Sequence, residues 1–367
     1  MAPALLIDGH LDLATNAMAY NRDLTRTVRA IRHYEQISGQ TDHPDRGRGT
    51  VSLPELRRGG IGIVFATLIA RVDWPGKPTG SVRLPGWHSP AQAWADGQRQ
   101  LAWYREMEAQ HEMTAITTAG QLAAHLEVWT GAADTSALPV GYVLALEGAD
   151  SIVDLDYLHR YHAAGLRSLG PAHFGPGRYA AGTGAAGQGL TPAGRELLRE
   201  MNSLNLLLDT THLTDIGFYE ALDLFAGPVI ASHQNCRALV PGERQFSDRQ
   251  LGLLIQRDGV IGGALDAWML HPGYTRGKDD PKALEIGLER VVRHIDHVCQ
   301  LAGNANHVAL GSDLDGLFGT EQCPYDLDTI ADLPKLDGML AAAGYAEADR
   351  IKIFSGNWLR ALRKVLR

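Results

Sequence analysis

Cysteine is scarce in this sequence, and the few cysteines present suit neither a disulfide framework nor a thiolate metal site. The chain has 3 cysteines in 367 residues, Cys236, Cys299 and Cys323, and none of them forms a C-x-x-C pair. An odd and widely spaced set is typical of proteins in a reducing compartment. We therefore expect a cytoplasmic protein.

Long apolar runs and an excess of basic residues are absent as well. No window approaches the roughly 18 uncharged apolar residues that a membrane-spanning helix needs, and the N-terminus lacks the basic and apolar regions of a leader. Lys and Arg number 34 against 42 Asp and Glu, a formal net charge of -8, whereas nucleic-acid binding needs a basic surface. We expect no membrane partner and no nucleic-acid partner.

Short apolar runs that alternate with amphipathic stretches organise the chain. This alternation is typical of a parallel sheet covered by helices. Eight such units in 367 residues favour a closed, TIM-like (β/α)8 barrel over an open doubly wound sheet, and no linker divides residues 1–367 into more than one domain. The predicted strands are Ala4–Asp8, Ile61–Ile69, Val140–Leu146, Leu166–Leu169, Leu206–Asp209, Val229–Ala231, Val260–Leu265 and Val308–Gly311.

Additional segments surround the predicted barrel. Ile330–Ala343 and Glu347–Leu366 are predicted to be extra helices at the C-terminus. Three irregular insertions, at Arg26–Gly49, Arg71–Pro90 and Phe174–Gly189, follow strand-like segments on the C-terminal face. They are either solvated loops or a rim that shapes a substrate pocket. Amphipathic stretches that predict helices lie between most of the strands, for example Gln92–Gln110, Pro192–Leu204, Asp215–Phe225, Asp248–Arg257 and Leu284–Leu301.

Histidines and acidic residues stand where the predicted strands end. The first strand leads into His10 and Asp12, which lie two residues apart and so face the same side of an extended chain. A single residue of this kind is usually a cap or a turn residue, but the C-terminal ends of barrel strands converge on one catalytic mouth. The later strand ends supply Glu147, His173, His212, His233 and Asp313.

Five of these residues form a mixed nitrogen and oxygen ligand set without a thiolate: His10, Asp12, Glu147, His212 and His233. Such a set suits zinc or a neighbouring first-row divalent ion. A bridging carboxylate holds two metals roughly 3.5–4 Å apart, as in two-metal hydrolases, and Glu147 lies between the two halves of the set in sequence. The pattern predicts a two-metal centre bridged by Glu147.

Longer motifs carry a resemblance to a known family. They are Asp8–Leu13, Leu190–Glu196 with its run into His212, Ser232–Leu239, His294–His297 through Gly311–Gly316, and Gly356–Arg360. Together they resemble the renal (membrane) dipeptidase family, the M19 dinuclear zinc peptidases, over nearly the whole chain. The resemblance implies a homodimer with two Zn²⁺ that hydrolyses small dipeptides by attack of a hydroxide bridging the metals.

The resemblance also implies a role for each residue of the site. His10 and Asp12 would bind the first zinc ion and His212 and His233 the second, with Glu147 as the bridge.

Three further residues would act on the substrate. His173 would polarise the scissile carbonyl or hold the developing oxyanion. Arg244, eleven residues after His233, would bind the C-terminal carboxylate of the substrate through a bidentate fork. Asp313 would take the proton of the attacking water and pass it to the leaving amine.

Several alternatives stay open at this point. A hydrolase of another small amide or lactone would use the same metal ligands, and a non-catalytic barrel scaffold is the alternative from a different class; the completeness of the site favours an enzyme. Asp266, after the seventh strand, either faces the pocket or caps the next segment. His294 and His297 are predicted to pack on a helix face.

Overall fold

Eight parallel strands close into a barrel at the centre of the computed structural model, which describes residues 5–74 and 86–367. With one additional strand, β3, the described sheet has nine strands: β1 Leu6–Leu11, β2 Ile61–Ile69, β3 Met113–Ala115, β4 Val140–Glu147, β5 Leu166–Gly170, β6 Leu207–Asp209, β7 Val229–Ala231, β8 Val260–Gly263 and β9 Val308–Leu310. They pair in the order β2-β1-β9-β8-β7-β6-β5-β4-β3, and a further pairing of β2 with β4 closes the barrel. The predicted (β/α)8 fold is confirmed.

Strand β3 is the one described strand that the sequence pattern did not predict. It pairs with the first half of β4, Met113 opposite Val140, while β5 pairs with the second half of the same edge. Strand β2 occupies the other edge of β4, so β3 lies outside the closed ring. Its three residues are too short an apolar run to stand out in the sequence.

Helices surround the barrel, with bounds close to the predicted ones. The predicted helix Leu284–Leu301 begins at Glu289 instead, and Ile330–Ala343 divides into a 3-10 turn, Ile330–Asp332, followed by a separate helix. Pro334, which has no N–H to donate, separates the two. The helices are α1 Leu13–Met18, α2 Val28–Ile37, α3 Leu53–Arg58, α4 Pro90–Ala109, α5 Ala119–Gly131, α6 Leu155–Ala163, α7 Pro192–Ser203, α8 Asp215–Leu224, α9 Asp248–Gln256, α10 Ala267–Leu270, α11 Glu289–Ala302, α12 Lys335–Ala342, α13 Glu347–Ile351 and α14 Asn357–Arg363.

The C-terminal segment predicted as Glu347–Leu366 forms α13 and α14, joined by a π-helical turn at Lys352–Gly356. No helix in the described part of the chain is both long enough and apolar enough to cross a membrane.

The insertion Arg26–Gly49 is not irregular, since it contains α2, and buried ion pairs tie it to the barrel. Arg22 Nε lies 2.8 Å from Glu35 Oε1, and Arg22 Nη2 lies 3.0 Å from Asp45 Oδ2. The same guanidinium is 3.8 Å from Asp315, which follows β9. The insertion therefore holds the segment after β9 at the C-terminal face of the barrel.

Two glycines let the barrel strands approach closely below the site. A Cβ atom added to Gly262 of β8 or to Gly311 after β9 would overlap with the carbonyl oxygen of Ser232. Only glycine allows a backbone group to come this near. The end of β7 is thus packed closely against the ends of β8 and β9.

His294 and His297 lie on α11, as predicted, and belong to none of the groups of potential metal ligands among the described residues. His294 is buried, and its Nδ1 accepts a hydrogen bond of 3.0 Å from the backbone N–H of Cys236. Burial, with a smaller contribution from His297, lowers the pKa of His294 to about 3. The more exposed His297 contacts Asp248 Oδ1 at 2.7 Å. His294 is therefore a neutral structural acceptor.

We expect His294 to make the protein less stable in mild acid. The unfolded chain protonates this histidine near the ordinary pKa of 6.5, whereas the folded chain does so only near 3. Between these values the unfolded state binds more protons, so the free energy of unfolding falls as the pH falls, by up to about 1.4 kcal/mol per pH unit. Urea unfolding between pH 7 and pH 5 should show a shallower decline for His294→Asn, which retains an acceptor. Equal declines would contradict this assignment.

Candidate metal centre

The strand-end residues predicted from sequence come together at one mouth of the barrel. His10 lies within β1 and Glu147 ends β4, while the other residues follow the ends of their strands within a few positions. Among the described residues, three groups bring their potential ligand atoms within 4.8 Å of one another. They are His10, Glu147 and His233; Glu147, His173 and His212; and His10, Asp12 and Asp313.

Glu147 lies between His10 on one side and the pair His212 and His233 on the other, and one of its carboxylate oxygens faces each side. Its Oε1 is 3.0 Å from His212 Nε2 and 3.6 Å from His233 Nε2. Its Oε2 is 3.6 Å from His10 Nε2. Burial opposes ionisation, but the positive charge of His10 holds the pKa of Glu147 well below its usual range. This buried, ionised carboxylate can contact a cation on either side.

Carboxylates surround the imidazole of His10. Its Nε2 lies 3.9 Å from both Asp12 Oδ1 and Asp313 Oδ1, in addition to its contact with Glu147. Burial alone lowers the pKa of His10, but these negative charges, Glu147 foremost, raise it to about 10. The buried Nε2 has no hydrogen-bond partner among the described residues. This nitrogen is suited to bind a divalent cation. The cation would balance the negative charge of the carboxylates, which otherwise favours a proton on His10.

His212 and His233 direct their ring nitrogens at a common point. Their Nε2 atoms are 3.0 Å apart. Burial, with Arg244 nearby, lowers the pKa of His212 to about 4, and burial likewise lowers the pKa of His233 well below its usual range. Neutral imidazole is the form that binds metals. The two lone pairs and Glu147 Oε1 therefore form a second position suited to a divalent ion.

Hydrogen bonds from neighbouring strands orient the ligands. The Thr67 hydroxyl of β2 donates to Asp12 Oδ1. Asp8 Oδ1 accepts from the backbone N–H of His10 at 3.0 Å and from that of Ser312 at 2.9 Å, which ties the end of β1 to the end of β9. Fixed ligands of this kind are pre-positioned for a metal and lose little freedom when it binds.

Two site residues adopt the left-handed backbone conformation that ordinary residues rarely use. His212 has φ 69° and Asp313 has φ 58°. Strain of this kind costs about 1–3 kcal/mol per residue and occurs mainly at functional sites, where the surrounding structure enforces it.

Burial, together with the charges of Glu147 and Asp12, raises the pKa of Asp313 well above its usual range. Asp313 is thus set up to carry a proton.

A cavity of about 740 Å³ opens above the metal ligands, and Arg244 lies in its wall. Arg244 is buried, and its guanidinium donates to Gln234 Oε1 at 2.9 Å and to the carbonyl oxygen of His233 at 3.2 Å. Within the described residues no carboxylate lies within 4.0 Å of it. A buried guanidinium without an acidic partner is suited to an anionic group of a ligand.

His173 lies beside the ligands at the edge of this cavity, with its ring centroid 4.7 Å from that of His212. Arg71 Nη1 is 3.4 Å from His173 Nδ1. Because a guanidinium only donates hydrogen bonds, Nδ1 acts as the acceptor, and Nε2 carries the proton. Burial lowers the pKa of His173 well below its usual range. The ring is therefore a neutral donor.

Arg71 is a cavity residue that the sequence patterns missed. It is the first charged residue after β2, so the rule that found the other strand-end residues could have found it. Residues 75–85 of the insertion Arg71–Pro90 lie outside the described residues.

Asp266 and the insertion Phe174–Gly189 both line the cavity. The carboxylate of Asp266 caps α10 through the backbone N–H of Trp268 at 2.9 Å, and its other oxygen is 2.6 Å from Arg276 Nη2. Asp266 therefore combines the two alternatives, a cap that also faces the pocket. The insertion forms part of the pocket rim.

Similar proteins place the chain in one family. Residues 1–367 match the model of the membrane dipeptidase family, peptidase family M19. The dipeptidase tcpJ of Claviceps purpurea (strain 20.1) is 32% identical over 232 residues, which cover 61% of this chain and 52% of that protein.

Solved structures agree over the full length. The crystal structure of the dipeptidase AC, a metallopeptidase of family M19, has a TM-score of 0.79 and 28% identity, covering 99% of this chain and 98% of its own. A metallopeptidase from Rhodobacter sphaeroides, liganded with a phosphinate mimic of the dipeptide L-Ala-D-Ala, has a TM-score of 0.77 and 27% identity, with 99% of both chains covered. The resemblance found in the motifs is confirmed, and the chain belongs to the membrane dipeptidases of peptidase family M19.

Proposed function

We propose that this metal-dependent dipeptidase binds two Zn²⁺ ions, bridged by Glu147, and hydrolyses dipeptides whose termini are free. The observation that carries the proposal is the position of Glu147, with Oε1 toward His212 and His233 and Oε2 toward His10. Histidine and carboxylate ligands without thiolates suit zinc, although other first-row divalent ions accept the same set.

The two halves of the centre differ in charge. His10 and Asp12 would hold one ion beside Asp313, and the neutral His212 and His233 would hold the other. Two bound divalent ions would supply an acidified water and polarise the peptide carbonyl.

The residues of the chain would position and protonate the substrate. The proton on His173 Nε2 would be donated to the carbonyl oxygen as negative charge develops there. Asp313, whose pKa is raised, would accept a proton from the attacking water and deliver it to the leaving amine. Both side chains border the same cavity, which allows them to act on one peptide bond.

Arg244 would limit the length of the substrate. Its guanidinium, fixed by Gln234 and by the carbonyl of His233, would bind the terminal carboxylate, and a longer peptide has no terminus at that place. The dipeptide mimic bound by the Rhodobacter sphaeroides relative supports a dipeptide over a lactone. The homodimer and the cytoplasmic location stay predictions.

Metal binding should require Glu147. For the wild-type protein stripped of metal, Zn²⁺ at about 100 times its dissociation constant should add about 2.7 kcal/mol to the free energy of unfolding and restore dipeptide hydrolysis. Glu147→Gln removes the charge between the two positions and should lose most of both effects, as thermal unfolding and a dipeptide assay would show. The exposed Glu196→Gln is the matched control, and a Glu147→Gln variant that behaves like it would refute the bridge.

Arg244 should determine the preference for a free carboxylate. Because charge-assisted hydrogen bonds contribute about 1.5–3 kcal/mol, Arg244→Met should lower kcat/KM for a free dipeptide by about 10- to 100-fold, mainly through KM. It should leave hydrolysis of the corresponding dipeptide amide nearly unchanged. Arg276→Met, which alters another arginine of the same cavity, should keep the preference for the free acid. Retention of that preference in Arg244→Met would assign the carboxylate to another residue.

Asp313 should affect the chemical step more than binding. Asp313→Asn cannot accept the proton and should lower kcat by about 10²- to 10⁴-fold with KM nearly unchanged, as steady-state kinetics would show. A change confined to KM would place Asp313 in substrate binding.

A further inference from the structure

The two halves of the proposed metal centre share one hydroxyl group. Ser232 follows β7, and its Oγ lies 3.0 Å from Nδ1 of His233 and 3.4 Å from Nδ1 of His10. His10 belongs to the first half of the centre and His233 to the second. In both rings Nδ1 faces the serine while Nε2 faces Glu147.

We propose that Ser232 is a positioning residue that couples the two metal sites, by accepting a hydrogen bond from the Nδ1–H of each histidine. The proposal rests on the two-metal function proposed above. With the proton held on Nδ1, each ring leaves the Nε2 lone pair for a metal, which is how outer hydrogen bonds fix a ligating histidine.

The hydrogen-bonding capacity of the serine matches this arrangement. A hydroxyl has two acceptor lone pairs and one hydrogen. The two lone pairs serve His10 and His233, and the hydrogen can be donated to Thr211 Oγ1, which is 3.5 Å away. Each lone pair and the hydrogen of the hydroxyl group then has one hydrogen-bonding partner.

The position of the hydroxyl is fixed by its backbone. The N–H of Ser232 donates to Asp209 Oδ1 at 2.9 Å, and its carbonyl oxygen is enclosed by Gly262 and Gly311. The residue is only 3% exposed, so solvent has little access to replace the hydroxyl. The rings of His10 and His233 are in contact, with centroids 3.9 Å apart.

Loss of the hydroxyl should therefore weaken both sites together. Ser232→Ala leaves two buried Nδ1–H groups without an acceptor, which favours the tautomer with the proton on Nε2, the ligand atom. The Thr67 hydroxyl is a contrasting case, because it contacts Asp12 of the first half only. Thr67→Val, of similar shape, should weaken one site and spare the other.

The test is a titration of the metal-free full-length protein with Zn²⁺ in competition with a chromogenic chelator. The wild type should give two dissociation constants. Ser232→Ala should raise both by about 10- to 100-fold, and Thr67→Val should raise one. Ser232→Ala with either constant unchanged would overturn the coupling, even if the wild type binds two ions and cleaves dipeptides. A wild type that binds fewer than two ions would overturn the two-metal function as well.

A second measurement needs no variant, in case Ser232→Ala does not fold. Nitrogen NMR of the zinc-loaded wild type, labelled with ¹⁵N in its histidine rings, reports which nitrogen of each metal-bound ring carries the proton. His10 and His233 should both be protonated on Nδ1. Protonation on Nε2 in either ring would overturn the proposal.

Discussion

The buried negative charge of Glu147 is the constraint around which the site is arranged. A carboxylate away from water is costly unless positive charge or hydrogen-bond donors surround it. Here its two oxygens meet separate histidine groups, one at the end of β1 and one after β6 and β7. The same charge raises the pKa of His10 and helps to raise that of Asp313. This one side chain thus shifts the pKa values of His10 and Asp313 in the first half of the centre, whereas burial keeps His212 and His233 of the second half neutral.

The barrel supplies the rigidity that this concentration of charge requires. Parallel strands bring residues from distant parts of the chain to one end, and backbone contacts then hold them in place. Asp8 joins β1 to β9, and the close approach of Gly262 and Gly311 to Ser232 locks the end of β7. The left-handed conformations of His212 and Asp313 occur at this same end of the barrel, shortly after β6 and β9.

Three arginines place positive charge in the cavity beside the centre. Arg71 fixes the tautomer of His173, Arg244 lies buried without an acidic partner among the described residues, and Arg276 pairs with Asp266. The cavity therefore carries positive charge above a floor rich in carboxylates. This separation of positive and negative charge suits a small substrate with an anionic end. That end can bind the arginines in the wall while the rest of the substrate reaches the floor of the cavity.

The sequence by itself determined the eight barrel strands and the residues at their ends, because short apolar runs and the polar residues after them are local patterns. It missed the three residues of β3, which are too few to form a pattern, and the separation of α12 from the turn before Pro334. Only the tertiary structure decided which oxygen of Glu147 faces which histidine, that Arg71 contacts His173, and that Ser232 lies between His10 and His233. Most of these pairs are far apart in the chain. The sequence alone does not show that they come into contact, because only the closed barrel brings them together.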